Sequence, residues 1–326
     1  MDRFTFLRLG LATALLPIAA PAFAQASPYP EKPIRLVVGF APGGFTDVLA
    51  RQIGQKLATS LGQPVIVDNK PGATGTIGAD VVAKSKPDGY TLLLAHFASN
   101  SVAPALYPKL SYDVLKDFTP IARVASTPMV LVVNAALPVN DLAGFIDYAR
   151  KKPGELSYAS SGSGTAQHLA AAQFMQVTQT KLVHIPYKGS GPAMSDLLGG
   201  QVHLNFESPP NVLPHLKTGK LKALAVTGLA RLPQLPSVPT MDEAGLARFE
   251  MTQWFGIMGP ANLPKPIVAR LHAEVMAALK QPDIVDKIRA QGADTLGGTP
   301  DQFVAFLKAD SEKWAKLVKD AGIMLE

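Results

Sequence analysis

The sequence predicts an α/β protein made of two domains, and three observations lead to that fold class. The chain has 326 residues, which at roughly 100–200 residues per domain favours two domains. Short apolar runs alternate with helical patterns three times between Ile34 and Ala95, and this succession predicts a parallel sheet with helices on both faces. A strand, a glycine-rich turn and a helix occur again at Leu156–Val177. The second domain is therefore predicted to repeat the plan of the first.

The N-terminal segment has the pattern of a secretory signal peptide. Arg3 and Arg8 come first, the apolar run Leu9–Ala20 follows, and residues 22–24 (AFA) form a small-x-small cleavage site. The apolar run is shorter than the roughly 20 residues that a membrane-spanning helix needs. We therefore expect residues 1–24 to be removed and the remaining chain to be a free periplasmic protein.

Composition and charge exclude several classes of protein. The chain has no cysteine, so a disulfide, a thiolate metal site and a lipidated cysteine are all excluded. The six histidines include no pair at i,i+4 spacing, and no metal or other cofactor is predicted. Removal of residues 1–24 changes the net charge from +6 to +5, which is 29 basic minus 24 acidic residues. Because that charge is spread along the chain, nucleic-acid binding is not expected.

The first glycine turn joins a strand to a helix at the carboxyl end of the predicted sheet. The strand Ile34–Val38 runs into Gly43-Gly44, and Thr46 or Asp47 is placed to cap the next helix. Such a corner directs free N–H groups and the positive end of a helix dipole at one point, which favours an anion. Residues 158–168 (YASSGSGTAQH) have the same arrangement. The two turns are predicted to face each other across a cleft.

Two other interpretations of these turns are a nucleotide site and a serine hydrolase. The glycine spacing matches neither a P-loop nor the dinucleotide-binding Gly-x-Gly-x-x-Gly pattern, so a nucleotide site is not predicted. A serine hydrolase would need Gly-x-Ser-x-Gly, whereas Ala159 and Ser163 stand at the two glycine positions around Ser161. The alternative of an exported α/β hydrolase or transferase acting on a carboxylate, with Ser163 and His168, stays open at this point.

The domains are predicted to be joined by two crossing strands. Two strand patterns, Phe118–Val124 and Met129–Asn134, follow each other so closely that the segment between them is expected to pass from one domain to the other. The strand pattern Gln253–Met258 is expected to return to the first domain. The first domain would then contain residues 25–127 and 252–326, and the second residues 128–251.

With these motifs, the chain resembles the substrate-binding proteins of tripartite tricarboxylate transporters, which are often called Bug proteins. The resemblance covers nearly all of the sequence after residue 24. It is carried by segments that occur in the same order: YPEKPIRLVVGFAPGGFTD, DNKPGATGTIGAD, KPDGYTLL, YASSGSGTAQHLA, HIPYKGSGPAMSDLLGGQV, GKLKALAVTG and LPSVPTMDEAGL.

The resemblance implies a type II periplasmic-binding-protein fold, in which two doubly wound α/β domains enclose a ligand cleft. It implies a monomeric protein without catalytic activity. Such a protein would capture a small organic carboxylate and deliver it to the membrane components of a tripartite tricarboxylate transporter or to a sensor.

The resemblance also implies which residues bind the ligand. The first glycine loop would contribute Phe40, Pro42, Gly43, Gly44, Phe45, Thr46 and Asp47. The second would contribute Ser160, Ser161, Gly162, Ser163, Gly164, Thr165 and His168. The remaining pocket residues would be His96, Ala98, Ser99, Asn100, Tyr187, Lys188, Gly189, Glu207 and Ser208.

The chemistry of the rest of the ligand is left open by the sequence. Glu207 could accept from an ammonium or a hydroxyl group, and Lys188 could meet a second carboxylate. Phe45 or Phe97 could stack on an aromatic ring. Neither glycine loop contains Arg or Lys, so recognition of the carboxylate is predicted to rest on N–H groups, hydroxyls and helix dipoles.

Overall fold

The computed structural model describes residues 29–187 and 189–323. The predicted signal peptide and Lys188 lie outside these residues. The strands are β1 (Ile34–Val38), β2 (Val65–Asn69), β3 (Thr91–His96), β4 (Phe118–Pro128), β5 (Val130–Asn134), β6 (Ser157–Ser160), β7 (Val183–Pro186), β8 (Leu204–Glu207), β9 (Leu221–Val226), β10 (Thr252–Pro260) and β11 (Asp294–Thr295).

The helices cover both faces of the sheets. They are α1 (Phe45–Leu61), α2 (Thr76–Ala83), α3 (Ala103–Leu106), α4 (Leu142–Lys151), α5 (Ala166–Thr178), α6 (Ser190–Leu198), α7 (Pro209–Lys217), α8 (Lys265–Ala278), α9 (Pro282–Ala290) and α10 (Pro300–Asp320). Within the described ranges, none of these helices has the length and hydropathy to span a membrane.

The strands form two sheets with the same internal plan, which confirms the predicted α/β class. The first sheet has the order β11-β4-β10-β3-β1-β2, and the second has the order β7-β6-β8-β5-β9. In the first sheet β1 is parallel to β2 and β3, and in the second β6 is parallel to β7 and β8. Each parallel set is followed by an antiparallel strand, which is β10 beside β3 and β5 beside β8.

Strand β1 shows why its apolar run forms a central strand. Ile34, Leu36 and Val38 pack into one apolar cluster, and Val37 packs into another on the opposite face. Both faces are therefore covered, as the continuous apolar pattern predicts. The four side chains are at most 1% exposed.

The chain passes between the sheets at two adjacent points. β4 ends at Pro128, and after Met129 the chain continues as β5 of the other sheet. It returns in β10, whose first residue Thr252 pairs with Pro128. Both connections are therefore extended and lie side by side.

One helix start differs from the sequence expectation and another agrees with it. Helix α1 begins at Phe45 with Gly44 as its N-cap, so neither Thr46 nor Asp47 is the cap residue. Asp47 instead accepts from the N–H of Gly43, which lies outside the helix. Helix α10, by contrast, begins after Thr299 as predicted, with a complete capping box between Thr299 and Gln302.

Candidate functional site

A cavity of about 380 Å³ lies between the two sheets. This size is within the range of small-molecule sites. Both glycine turns and both crossing strands line it. Its described lining residues are Phe40, Gly43, Gly44, Phe45, Thr46, Val48, Thr74, His96, Ala98, Thr127, Ser161, Thr165, Ala166, Gln167, Ser190, Ser208, Pro210, Asn211, Gln253, Phe255 and Gln291.

The first glycine turn presents the start of α1 to the cavity. Gly43 has φ +90°, a conformation that glycine adopts without strain, and the N-cap Gly44 follows in an extended conformation. No side chain caps α1. The N–H groups of its first turn, which have no partner within the helix, are therefore available beside Gly44, Phe45 and Thr46 on the cavity wall.

Asp47 stabilises this turn through hydrogen bonds on the side away from the cavity. Its Oδ2 accepts from the Gly43 N–H at 3.0 Å, and its carboxylate also accepts from Arg51 and from Asn69 Nδ2, each at 3.0 Å. Burial would by itself raise the pKa of Asp47, but the hydrogen bonds from Arg51, Gly43 and Asn69 outweigh it and lower that pKa. Asp47 is thus a buried anion that its own neighbours neutralise, and it lies outside the cavity lining.

The second glycine turn repeats this geometry residue by residue. Gly164 has φ +74°, and the N-cap Thr165 has φ −75° and ψ 166°, close to the −78° and 169° of Gly44. No side chain caps α5. The Gly164 N–H donates to His168 Nδ1 at 3.1 Å, four residues ahead, as Gly43 donates to Asp47. The starts of α1 and α5 therefore face the same cavity in the same conformation.

His168 is held as a neutral ring. Burial, and to a smaller extent the neighbouring His184, lower the pKa of His168 to about 4. The two imidazoles stack at 4.0 Å between ring centroids. Because His168 Nδ1 accepts from Gly164, its proton belongs on Nε2. His168 supports the turn and does not line the cavity.

Ten of the ligand-binding residues expected from the sequence line the cavity: Phe40, Gly43, Gly44, Phe45, Thr46, His96, Ala98, Ser161, Thr165 and Ser208. Twelve others lie outside its lining: Pro42, Asp47, Ser99, Asn100, Ser160, Gly162, Ser163, Gly164, His168, Tyr187, Gly189 and Glu207. Lys188 lies outside the described residues.

Local hydrogen bonds explain why several of the expected residues lie outside the cavity lining. Asn100 is fully buried and its Oδ1 accepts from the His96 N–H and from Ser99 Oγ, so both polar side chains are used inside their own turn. Ser160 Oγ is 2.7 Å from His184 Nε2, beneath the second glycine turn. Tyr187 directs its hydroxyl to Asp196 at 2.6 Å.

Sequence reasoning missed several polar lining residues. Gln167 stands next to His168 in the first turn of α5, and Asn211 belongs to the start of α7. Thr127 and Gln253 are on the crossing strands β4 and β10. No local signal distinguishes Thr127, because β4 also carries polar residues such as Arg123 and Ser126 that do not line the cavity.

Glu207 lies behind the cavity wall and organises it. Its side chain is fully buried. Oε1 accepts from the Ser208 N–H at 2.8 Å and from Asn211 Nδ2 at 3.2 Å, and Oε2 accepts from Gln167 Nε2 at 3.3 Å. Burial raises the pKa of Glu207, and these hydrogen bonds oppose that rise. Glu207 therefore fixes which atoms of Gln167 and Asn211 remain for a ligand.

A small set of aromatic rings forms the opposite wall. Phe45 contacts Phe255 at 5.0 Å between ring centroids, Phe255 contacts His96 at 5.0 Å, and His96 contacts Phe40 at 4.5 Å. All three contacts are edge-on, the arrangement that aromatic pairs favour. Burial lowers the pKa of His96 to about 3, so this ring is also neutral. We call these four residues the aromatic wall.

Two similar sheets, two extended connections and a cavity between opposed helix starts define a two-domain solute-binding protein. The family model described as "Tripartite tricarboxylate transporter family receptor" matches residues 49–323. The chain belongs to this family of periplasmic solute-binding proteins, which confirms the resemblance noted from the sequence. Members of this family are binding proteins and not enzymes.

Individual relatives match over nearly the whole chain. Protein BugT of Bordetella pertussis is 40% identical over 319 residues, which cover 98% of this chain and 97% of BugT. The structure of the periplasmic binding protein BugD is 39% identical with a TM-score of 0.80, and covers 91% of this chain and 100% of its own.

Two further similar structures contain ligands. R. palustris Rpa4515 with adipate is 38% identical with a TM-score of 0.83, and the match covers 91% of this chain and 100% of that one. MatC from Rhodopseudomonas palustris with bound malate is 35% identical with a TM-score of 0.79, and the match covers 89% and 100% of the two chains.

Proposed function

We propose that this protein is exported to the periplasm, binds a small organic carboxylate between its two glycine turns, and delivers it to the membrane components of a tripartite tricarboxylate transporter or to a sensor. The observation that carries the proposal is the pair of uncapped helix starts, α1 and α5, at one cavity. Helix N-termini bind anions through free N–H groups and the helix dipole. The similar proteins with bound adipate and malate support a carboxylate as that anion.

The energy available from such a site is sufficient for useful affinity. A hydrogen bond to a charged group contributes about 1.5–3 kcal/mol. Micromolar binding corresponds to roughly 8 kcal/mol. Four or five such bonds would supply this free energy even though the ordering of the ligand and the site on binding offsets part of it. Because the donors are divided between the two sheets, the full set requires both sides of the cavity.

Binding is proposed to occur without turnover. Ser163 lies outside the cavity lining, and His168 Nδ1 is occupied by the Gly164 N–H. Neither arrangement favours the Ser163 and His168 pair of the hydrolase or transferase alternative. We expect no product from any bound carboxylate, and Ser163→Ala should retain wild-type affinity. Product formation that Ser163→Ala abolishes would support the enzyme instead.

The proposal also includes the domain boundaries, a monomeric state and removal of the signal peptide. We place the boundaries at 127/128 and 251/252, because the chain leaves the first sheet at Pro128 and returns at Thr252. A monomer suffices, since one chain supplies both walls of the cavity. Mass spectrometry of the periplasmic fraction should find a chain that begins at Gln25, and an intact N-terminus would contradict the proposed export.

The central test is the substitution Gly44→Val. Gly44 has φ −78°, and no heavy atom lies within 4 Å of an added Cβ. The backbone should therefore accept valine, whose methyl groups would occupy the carboxylate position. We expect calorimetric titration with a panel of aliphatic, amino-acid and aromatic carboxylates to show binding by the wild type and at least a 100-fold loss in Gly44→Val.

A matched control is available at Gly199. This residue is exposed at the end of α6, and the nearest atom to an added Cβ there is 3.4 Å away. Gly199→Val should bind as the wild type does. Unchanged affinity in Gly44→Val would contradict the proposed site.

A further inference from the structure

The two walls of the cavity differ in chemistry, and the first step is the character of the aromatic wall. Phe40, Phe45, His96 and Phe255 all line the cavity and contact one another in a continuous row. His96 and Phe255 are only 6% and 2% exposed, so packing holds their rings in place. A preorganised row of rings binds a flat apolar group without a large ordering cost.

The second step is the absence of charge around the rest of the cavity. Of the lining residues that the structure describes, none is Lys, Arg, Asp or Glu. The polar ones are hydroxyl and amide side chains such as Ser190, Gln167 and Asn211. The one titratable side chain among them is His96, whose burial keeps its ring neutral. Helix starts are therefore the strongly anion-binding features of the described lining, and the uncapped starts of α6 and α7, at Ser190 and Ser208, line it as well as those of α1 and α5.

The third step is the position of Glu207. Its buried carboxyl group contacts Gln167 and Asn211 directly behind the polar wall. The amides of Gln167 and Asn211 belong to the second sheet's side of the cavity and the aromatic wall to the first, so a ring between them would have neutral groups on both sides.

We propose that the ligand is an aromatic carboxylate, with a carboxylate group at the starts of α1 and α5 and its ring against the aromatic wall. This proposal rests on the proposed function. Neutral polar substituents on the ring, such as a hydroxyl group, would face Gln167, Ser190 and Asn211. Phe45 is the residue that sets this preference, because it belongs both to the first glycine turn and to the aromatic wall.

The decisive comparison uses benzoate and cyclohexanecarboxylate, which have the same charge and similar size and differ in aromaticity. We expect calorimetry on the wild-type protein to give about 3- to 10-fold tighter binding of benzoate, as aromatic pairing adds to simple burial. Benzoate should also bind more tightly than adipate. Equal or weaker binding of benzoate in either comparison would overturn the proposal.

Two variants test which residue causes the preference for benzoate. Phe45→Leu keeps an apolar side chain at a half-buried position and should reduce the preference for benzoate to about 1- to 2-fold. Phe306→Leu is the matched control, since Phe306 is also half-buried but contacts Trp254 and Arg123 outside this cavity. It should leave the preference unchanged. A preference that survives in Phe45→Leu would overturn the role of Phe45.

The outcomes separate this inference from the proposed function. Binding of adipate or cyclohexanecarboxylate without a preference for benzoate would leave the carboxylate-binding function standing and remove the aromatic ligand. Failure of every carboxylate in the panel to bind would remove the function itself.

Discussion

Asp47 and His168 support equivalent turns with different chemistry. Each accepts from the N–H of a glycine four residues earlier. Asp47 does so as a carboxylate paired with Arg51, and His168 does so as a neutral ring. The buried negative charge at the first turn is balanced within the protein, and the second turn carries no charge. An incoming anion therefore meets no uncompensated negative charge at either turn.

The lowered pKa of His168 predicts how stability depends on pH. The folded pKa is about 4, against an ordinary value of 6.5, so the unfolded chain binds the proton first as the pH falls. His168 therefore removes stability as the pH falls from about 6.5 towards 4. We expect His168→Gln to flatten the dependence of the free energy of unfolding on pH in this window, by up to about one proton. Urea unfolding between pH 7 and 4.5 measures this pH dependence. An unchanged slope in His168→Gln would contradict a neutral His168 ring in the folded protein.

The difference between Gln167 and His168 shows where sequence reasoning reaches its limit. The sequence indicates that the first turn of α5 borders the cleft. It does not indicate which residue of that turn faces the ligand, because this depends on the exact start of the helix. Thr165 proves to be the N-cap, so His168 reaches back to Gly164 and Gln167 faces the cavity.

Among the elements, α7 is one that the sequence pattern did not predict. Pro209 and Pro210 occupy its first turn, where proline is favoured, but Pro214 lies inside it and normally argues against a helix. Its N-terminal end carries Asn211 to the cavity and to Glu207. The glycine turns, by contrast, could be predicted because strand, turn and helix start are all encoded locally.

The junction of β8 and α7 gives a prediction about Glu207. Glu207→Ala would remove the acceptor of the buried Asn205 Nδ2 and one of the two acceptors of Gln167 Nε2, and a buried group left without a partner costs about 1–3 kcal/mol. We expect a lower free energy of unfolding and weaker carboxylate binding. Glu207→Gln keeps one acceptor oxygen and should lose less of both.

The control for this pair is Glu155→Ala. Glu155 is exposed and pairs only with Lys152 at 3.2 Å, a surface contact that contributes little. Urea unfolding and calorimetry on the three variants compare the effects directly. Equal stability in Glu207→Ala and Glu155→Ala would show that Glu207 does not organise the wall.

At the scale of the whole molecule, the sequence predicts two sheets and two crossings but not the contacts that join the domains. Those contacts come from residues far apart in the chain. Gln234 Nε2 donates to the Arg289 carbonyl, and Lys313 Nζ donates to the Glu250 carbonyl at 3.2 Å. Helix α10 contacts both β4 of the first sheet and α5 beside the second. Local patterns carry no information on such pairings, because each side chain also suits an ordinary surface.

The same architecture predicts a change of shape on binding. The anion-binding helix starts belong to different sheets, and two adjacent extended strands connect these sheets, so the cavity walls can move relative to each other about those strands. A ligand that contacts both walls has greater affinity for the closed form and shifts the population towards it. Small-angle scattering should therefore give a smaller radius of gyration with saturating benzoate than without it. Gly44→Val should show no such change, because its carboxylate position is blocked, and identical wild-type curves with and without bound ligand would rule out closure.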